Sequence, residues 1–416
     1  MKKRLLCFTM LLTVTISAIT FTNNVKAATK WNTSKSVTKE ENGIKYSAYL
    51  TEDGKESWIY QIKLSKKVTK LTLPKEINQA KLTRVGFGKE LYNKGEDEDA
   101  YQNLFGDTIE PWHNCYGDLS NDDKNKQSIE TVAIPSTVNQ LEIATFSGMK
   151  KLKSVVIPEQ TASVPAYTFA KCSALSKVTF SKNMNEIDST AFVKSNQVKT
   201  FSCPKANKIF AVKKGMLTTR SGKTLVLVPN KMKKLTIPSS VKEIKANALN
   251  GSQATSIVIP KSVKKIGAKA LESKKITKVS LSSKNKTYKM ANNCIYRKSN
   301  GTLTAVLVKT KKITIPSKVK VIDDTVSVMG KIGTKNQVHI PKSVKKVVED
   351  WMFFGDSATV YFHGTKPPVI VSKFKGNEFT ALPIFNKVYV PKKAKKTYIK
   401  WAKDRDGLRW NNLHTF

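Results

Sequence analysis

The run Leu152-Lys153-Ser154-Val155-Val156-Ile157-Pro158, with Tyr167-Thr168-Phe169-Ala170-Lys171-Cys172 following it, decides how this chain folds. Apolar and polar residues alternate up to a proline. That is the pattern of a short, half-buried strand that stops where the backbone has no N–H to give a ladder. The same frame returns along the chain, with Ile-Pro at Ile134-Pro135, Ile157-Pro158, Ile237-Pro238, Ile259-Pro260, Ile315-Pro316 and Ile340-Pro341, and a degenerate copy at Phe180-Ser181. Three residues before the proline slot stand Val132, Val155, Val178, Leu235, Ile257, Ile313 and Val338. Six after it stand Leu141, Val164, Ile187, Ile244, Ile266, Ile322 and Val347. Eleven after it stand Phe146, Phe169, Phe192, Leu249, Leu271, Ser327 and Met352, where Ser327 alone departs from a bulky apolar residue.

A single unit, as short as the step from Pro135 to Pro158, cannot bury its apolar side alone. Stacked, each apolar position becomes a ladder and the units share one core, so the pattern predicts a repeat solenoid, mainly β with short turns and helical segments. In this register Ile259 is expected in an inward ladder between Ile237 and Ile315.

These units resemble the BspA-type leucine-rich repeats of bacterial surface proteins, over about residues 68 to 391. Two details add to the likeness. The segment Ala211-Val212-Lys213-Lys214-Gly215-Met216-Leu217, running on to Val228-Pro229, is similar to the hairpin insertion such proteins carry between repeats. Met290 to Val308 repeats it, with Ile276 answering to Val198 in the same frame. Val360-Tyr361-Phe362-His363-Gly364-Thr365 and Val388-Tyr389-Val390-Pro391 are similar to the terminal units of the family. The resemblance implies a leucine-rich-repeat solenoid with hairpin insertions at about 204–230 and 282–309. It also implies an exported adhesin or binding protein rather than an enzyme.

Residues 1–27 read as a secretory signal: Lys2, Lys3 and Arg4, a mostly apolar run from Leu5 to Phe21, and Val25-Lys26-Ala27 before the cut. Thr13, Thr15, Ser17 and Thr20 make the run too polar for a membrane anchor. No second apolar segment and no wall-sorting tail follow, so a released or non-covalently held protein is expected. Residues 28–67 should form an N-terminal β-hairpin cap, from Ile44 to Leu50 and Trp58 to Leu64 about the turn Glu52-Asp53-Gly54-Lys55. At the other end, Ala394, Tyr398 and Trp401 at helical spacing predict a C-terminal helical cap over 392–416. Cys115, Cys172, Cys203 and Cys294 are widely spaced, and buried free thiols are expected rather than a disulfide framework.

Residues 89–126 interrupt the repeat with an acidic insertion that carries Tyr92, Tyr101, Phe105, Trp112 and Tyr116. Loops of this kind often hold binding residues. Within it, Asp118, Asp122 and Asp123 offer oxygen ligands for a hard cation such as Ca²⁺, although the glycine and distal Glu of an EF-hand loop are missing. A solvated acidic loop is the alternative.

Composition narrows the function. Across 416 residues, 73 Lys and Arg face 31 Asp and Glu, a formal charge of +42, which makes polyanions a partner class to consider. Cleavage after Ala27 removes four basic residues and no acid, leaving +38. Residues 28–128 are balanced at 16 of each sign, so the whole excess falls on 129–416. Four positions after the proline slot, Lys242, Lys264, Lys320 and Lys345 occupy one ladder site, a candidate stripe for an anionic polymer or else a solubilising face. Catalytic patterns fail. Gly222-Lys223-Thr224 lacks the earlier glycine of a phosphate loop and runs into a strand. His113, His339, His363 and His414 lie far apart in a fold whose distant repeats do not meet. The expectation is a monomeric surface-associated binding protein without cofactor, transmembrane segment or nucleic-acid partner. Its ligand would be a host or cell-surface protein; retention on an anionic wall polymer or glycosaminoglycan is the alternative.

Overall fold

The computed structural model describes residues 29–86, 125–348, 358–371, 387–403 and 413–416. Residues 1–27, expected to be a signal segment, together with Cys115, His113, Met352 and the candidates Tyr92, Tyr101, Phe105, Trp112, Tyr116, Asp118, Asp122 and Asp123, lie outside those residues.

The chain is a mostly β solenoid. Each turn opens with a strand that ends at the proline slot. These first-leg strands stack in parallel as three groups of five, three and five: Lys70–Thr72 to Thr200–Ser202, Lys234–Thr236 to Lys278–Leu281, and Lys312–Thr314 to Leu413–Thr415. Register sets Val155 beside Val178 and Phe201, then Leu235 beside Ile257 and Val279, then Ile313 beside Val338, Val360 and Val388. Ile259 is fully buried, but its ladder partner is Leu281, not Ile315. The strand of the second hairpin unit takes the place that counting Ile-Pro pairs alone assigns to the later turn.

Two-residue strands build the second leg, such as Glu243–Ile244 against Lys265–Ile266, with Ile244 and Ile266 turned inward. At the closing corner Phe146, Phe169 and Phe192 stack with ring centroids 5.6 and 5.7 Å apart. Ser327, the departure from that ladder, is fully buried, and its Oγ accepts the Leu271 N–H at 3.0 Å. A hydroxyl that satisfies an otherwise orphaned amide replaces the apolar group there.

Both hairpins are built alike. Phe210–Lys213 pairs antiparallel with Met216–Thr219, and Tyr288–Ala291 pairs with Cys294–Arg297 in the equivalent register. The connecting pairs Lys214-Gly215 and Asn292-Asn293 all have positive φ (49°, 76°, 48° and 60°), the backbone that a tight two-residue hairpin needs. The first-leg sheet breaks at each hairpin, while the closing corner passes over the second one: Glu272 Oε2 accepts the Val328 N–H at 2.6 Å from well beyond the hairpin.

The ends differ from expectation in three respects. The N-terminal cap has three antiparallel strands, Trp31–Glu41, Ile44–Thr51 and Glu56–Leu64, not two, and the third pairs in parallel with Ala80–Val85. The acidic insertion does not extend to residue 126. Asn125 Nδ2 donates to Leu64 O at 3.1 Å, Lys126 is buried, and Ser128 Oγ donates to Val68 O at 2.7 Å, so this stretch belongs to the repeat edge. The helix Lys395–Lys403 packs Tyr398 on Phe362 with centroids 5.4 Å apart, yet it is not the final cover. Leu413–Thr415 returns as a parallel strand beside Lys387–Val390, because Leu413 still has an apolar ladder to join. Among the described residues no helix is long and apolar enough to cross a membrane.

Candidate functional site

Within each first-leg strand the residue between the two inward positions points out of the sheet. Along the array this outward site holds Thr72, Ala133, Val156, Thr179 and Ser202, then Thr236, Val258 and Ser280, then Thr314. It then changes character. His339, Tyr361, Tyr389 and His414 follow on consecutive strands, in register.

Their rings stack at the strand spacing: His339 on Tyr361 at 4.4 Å and 6°, Tyr361 on Tyr389 at 4.6 Å and 10°, Tyr389 on His414 at 5.0 Å and 26°. Cross-strand aromatic pairs of this kind stabilise by about 0.5–1.5 kcal/mol each beyond their buried area. Because the faces cover one another, the ring edges and the Tyr hydroxyls are left for a partner. In the proline slot of their turns, His363 and Phe416 retain an N–H, donated to Ile340 O at 2.9 Å and Val390 O at 3.2 Å. Phe416 is 52% exposed and lies 5.2 Å from His363.

His339 Nδ1 and His363 Nε2 are 2.9 Å apart, one of them donating. This corrects the expectation that the histidines stay separate: distant repeats do not meet, but consecutive turns do, and His414 joins the same stack. Partial burial pushes His339 down to about 4, with the Lys312 and His363 charges adding to it; His363 is lowered by burial and Lys312. Both rings are therefore neutral at physiological pH. Among the described residues no three metal-ligating side chains converge.

The lysine stripe is divided. Lys264 N–H donates to Lys242 O at 2.7 Å, and Lys345 N–H to Lys320 O at 2.9 Å, so each pair occupies adjacent turns, with all four side chains exposed. Lys264 and Lys320 are not neighbours: Lys320 N–H bonds Gly301 O, and the second hairpin stands between the pairs. Among the thiols, Cys172 and Cys294 are buried and pushed up to about 12 by burial, whereas Cys203 is half-buried.

Sequence reasoning quoted both Tyr segments as repeat ends and missed the stack. The signal was present as Val-His-Ile-Pro and Val-Tyr-Val-Pro, where a ring replaces the small residue of earlier turns.

The pattern of the BspA type leucine rich repeat region matches residues 124–216 and 228–359 in six copies, just over half of the chain. The chain belongs to the BspA-type leucine-rich-repeat family. Among solved structures it is similar to a leucine rich cell surface protein from Faecalibacterium prausnitzii A2-165, with 13% identity, 82% of this chain and 96% of that one covered, and a TM-score of 0.35. It is also similar to the pneumococcal vaccine antigen PcpA, with 15% identity, 91% and 98% covered, and 0.39. A leucine-rich repeat protein from Eubacterium ventriosum gives 12%, 86% and 94%, and 0.39. No curated protein matches the sequence. In this BspA-type chain the family repeat is the scaffold, and the outward ladder is where its own chemistry stands.

Proposed function

We propose that this BspA-type chain is an exported, surface-associated adhesin that recognises a host or cell-surface protein through the outward rings of its last turns. One observation carries the reading: the outward ladder changes from Ala, Val, Ser and Thr to His339, Tyr361, Tyr389 and His414 on consecutive strands. Tyr is enriched and Lys depleted where protein interfaces concentrate their binding energy. The stack fixes the rings before a partner arrives, so little side-chain freedom is lost on binding. The family repeat, a scaffold for recognition, supports the same reading.

The test is retention of purified extracellular-matrix and serum proteins by the chain lacking residues 1–27, against a Tyr361→Ser/Tyr389→Ser variant of unchanged melting temperature. The parent should hold at least one protein through moderate salt, and the variant should bind it at least about tenfold more weakly. Equal binding by both proteins, or no protein held by either, rejects the reading. The charge of 129–416 favours a second one, retention on an anionic wall polymer, in which moderate salt alone strips the protein from cells.

A further inference from the structure

The fold sorts the charges of this chain by face. Among the described residues, none of the thirteen first-leg strands carries an Asp or Glu, although six carry lysine: Lys70, Lys177, Lys234, Lys278, Lys312 and Lys387. All six are exposed and stand at the outward position two residues ahead of the small-to-aromatic ladder. Lys233 and Lys311, exposed as well, precede Lys234 and Lys312 directly. The second leg is different. Glu186 and Glu243 lie on its strands, and Glu243 Oε1 takes Lys265 Nζ at 2.8 Å, beside the Lys242–Lys264 pair.

The contrast is strongest where the charge is densest. Residues 189–348 hold 35 basic and 4 acidic side chains. Glu272 is taken up by the Val328 N–H, Asp323 by the Thr325 N–H and hydroxyl, and Glu243 by Lys265. Not one of the four, with Asp324 the last of them, is on a first-leg strand.

The spacing of this acid-free face is regular. Lys234, Ser256 and Lys278 are register partners, which sets the two lysines about 10 Å apart with a hydroxyl between them. Beyond the second hairpin, where the first-leg sheet breaks, Lys312 heads a separate row with Gln337, Thr359 and Lys387, and from Gln337 onward that row runs beside the ring ladder. Thr236, Val258, Ser280 and Thr314 alongside are too small to wall the row off. A charged chain laid along the solenoid axis would therefore meet Lys234 and Lys278 two turns apart with the Ser256 hydroxyl between them, and Lys312 past the hairpin. Lysine offers a point charge without the planar fork that selects phosphate geometry, and the outward positions beside Lys234, Lys278 and Lys312 carry no ring on which bases could stack.

We propose that the first-leg face from Lys234 to Lys312 binds a linear acidic polysaccharide, with its carboxylates or sulfates on the lysines and its hydroxyls on the residues between. The second-leg lysines Lys242, Lys264, Lys320 and Lys345, which the sequence singled out, are not its site. The inference stands apart from protein recognition by the rings.

Heparin is the probe, titrated over a salt series against three proteins lacking residues 1–27: the parent, a Lys234→Gln/Lys278→Gln/Lys312→Gln variant, and a variant with Gln at 242, 264, 320 and 345. By analogy with nucleic acid, three lost contacts should make the log–log salt slope shallower by about two and weaken low-salt binding at least about tenfold. The second-leg variant should stay within about twofold of the parent. Equal losses in both variants would mean diffuse charge and overturn the proposal, as would an unchanged slope in the first-leg variant. Short single-stranded DNA is the competitor. Displacement of heparin at equal charge concentration would overturn the polysaccharide assignment, and weaker displacement supports it. The Tyr361→Ser/Tyr389→Ser variant should bind heparin like the parent, so failure of the adhesin reading leaves this result readable.

Discussion

Asn207 and Asn285, at equivalent positions of the two hairpin units, plug the same gap in two different turns. Asn207 Nδ2 donates to Ser181 O and Met184 O at 3.0 and 2.8 Å, and its Oδ1 accepts the Ile209 and Phe210 N–H groups at 2.8 and 2.6 Å. Asn285 repeats this with Pro260 O, Val263 O, Thr287 N–H and Tyr288 N–H at 3.2, 3.0, 2.9 and 2.8 Å. Even the cation on the asparagine carbonyl recurs, as Arg220 Nε and Lys298 Nζ, both at 2.6 Å. Each side chain is 1% exposed and ties the start of a hairpin to the turn before it.

Replacing either asparagine with alanine strands two carbonyls and two amides away from water. At about 1–3 kcal/mol for a stranded buried group, partly relieved by relaxation, the loss should be roughly 3 kcal/mol or more at each site. Chemical denaturation of Asn207→Ala and Asn285→Ala checks it. A loss under about 0.5 kcal/mol in either would show that the plug is ornamental.

The N-terminal cap depends on a buried ion pair. Arg84 Nε donates to Glu142 Oε1 at 2.7 Å, the guanidinium lies 3.8 Å from the Trp58 ring centre, and the two side chains are 4% and 13% exposed. Removing one partner of such a pair leaves a buried charge uncompensated, which costs about 3–5 kcal/mol. Arg84→Ala should therefore lose about that much, whereas Arg84→Met with Glu142→Leu should recover most of it. If the double variant is no more stable than the single one, packing rather than charge governs the site.

The core was readable from the sequence because its signal is local: Val155, Val178 and Leu235 each sit three residues before a proline slot, and a ladder needs nothing more. Asn207 and Asn285 were hidden in hairpins already placed by their likeness to each other, since nothing in one asparagine announces four partners in two turns. The Tyr361 and His339 contact was hidden for a related reason. An outward side chain carries no burial pattern, and only the register of consecutive strands brings 339, 361, 389 and 414 together. Lys242, Lys264, Lys320 and Lys345 form two pairs rather than one ladder because counting slots skipped the second hairpin, whose strands lie between Lys264 and Lys320.

Thiol reactivity should follow burial. Cys172 and Cys294 are pushed up to about 12, and Cys172 Sγ lies 3.2 Å from Phe146 O in the core. Cys203, half-buried, is raised by burial and eased by Arg220. In a Cys115→Ser background lacking residues 1–27, iodoacetamide at mildly alkaline pH should alkylate Cys203 while Cys172 and Cys294 wait for unfolding. Peptide mapping that found all three modified at one rate would contradict the packing.

The last prediction concerns pH, and its sign follows from which state binds more protons. Unfolded, His339 titrates near 6.5; folded, it is pushed down to about 4 by burial, Lys312 and His363. Between those values the unfolded chain takes up a proton that the folded chain refuses, so stability rises with pH across that window. The stability is fully present above about 6.5, falls as pH drops, and levels off below about 4, where both states are protonated. His363, also lowered, adds in the same direction, and the Tyr361 ring stacked on His339 supplies no compensating charge at these pH values. Protonating both rings would set two cations 2.9 Å apart beside Lys312, so the C-terminal ladder should loosen first. Denaturation midpoints from pH 4 to 7 for the parent and a His339→Gln variant test this, with hydrogen exchange of Gln337–Ile340 and Thr359–Phe362 as the local reading. The variant should show a flatter pH profile and retain exchange protection at pH 5. Parallel profiles would mean that the histidine pair does not govern acid stability, and protection lost first in the Phe146–Phe192 turns would place the acid-sensitive segment at the other end of the solenoid.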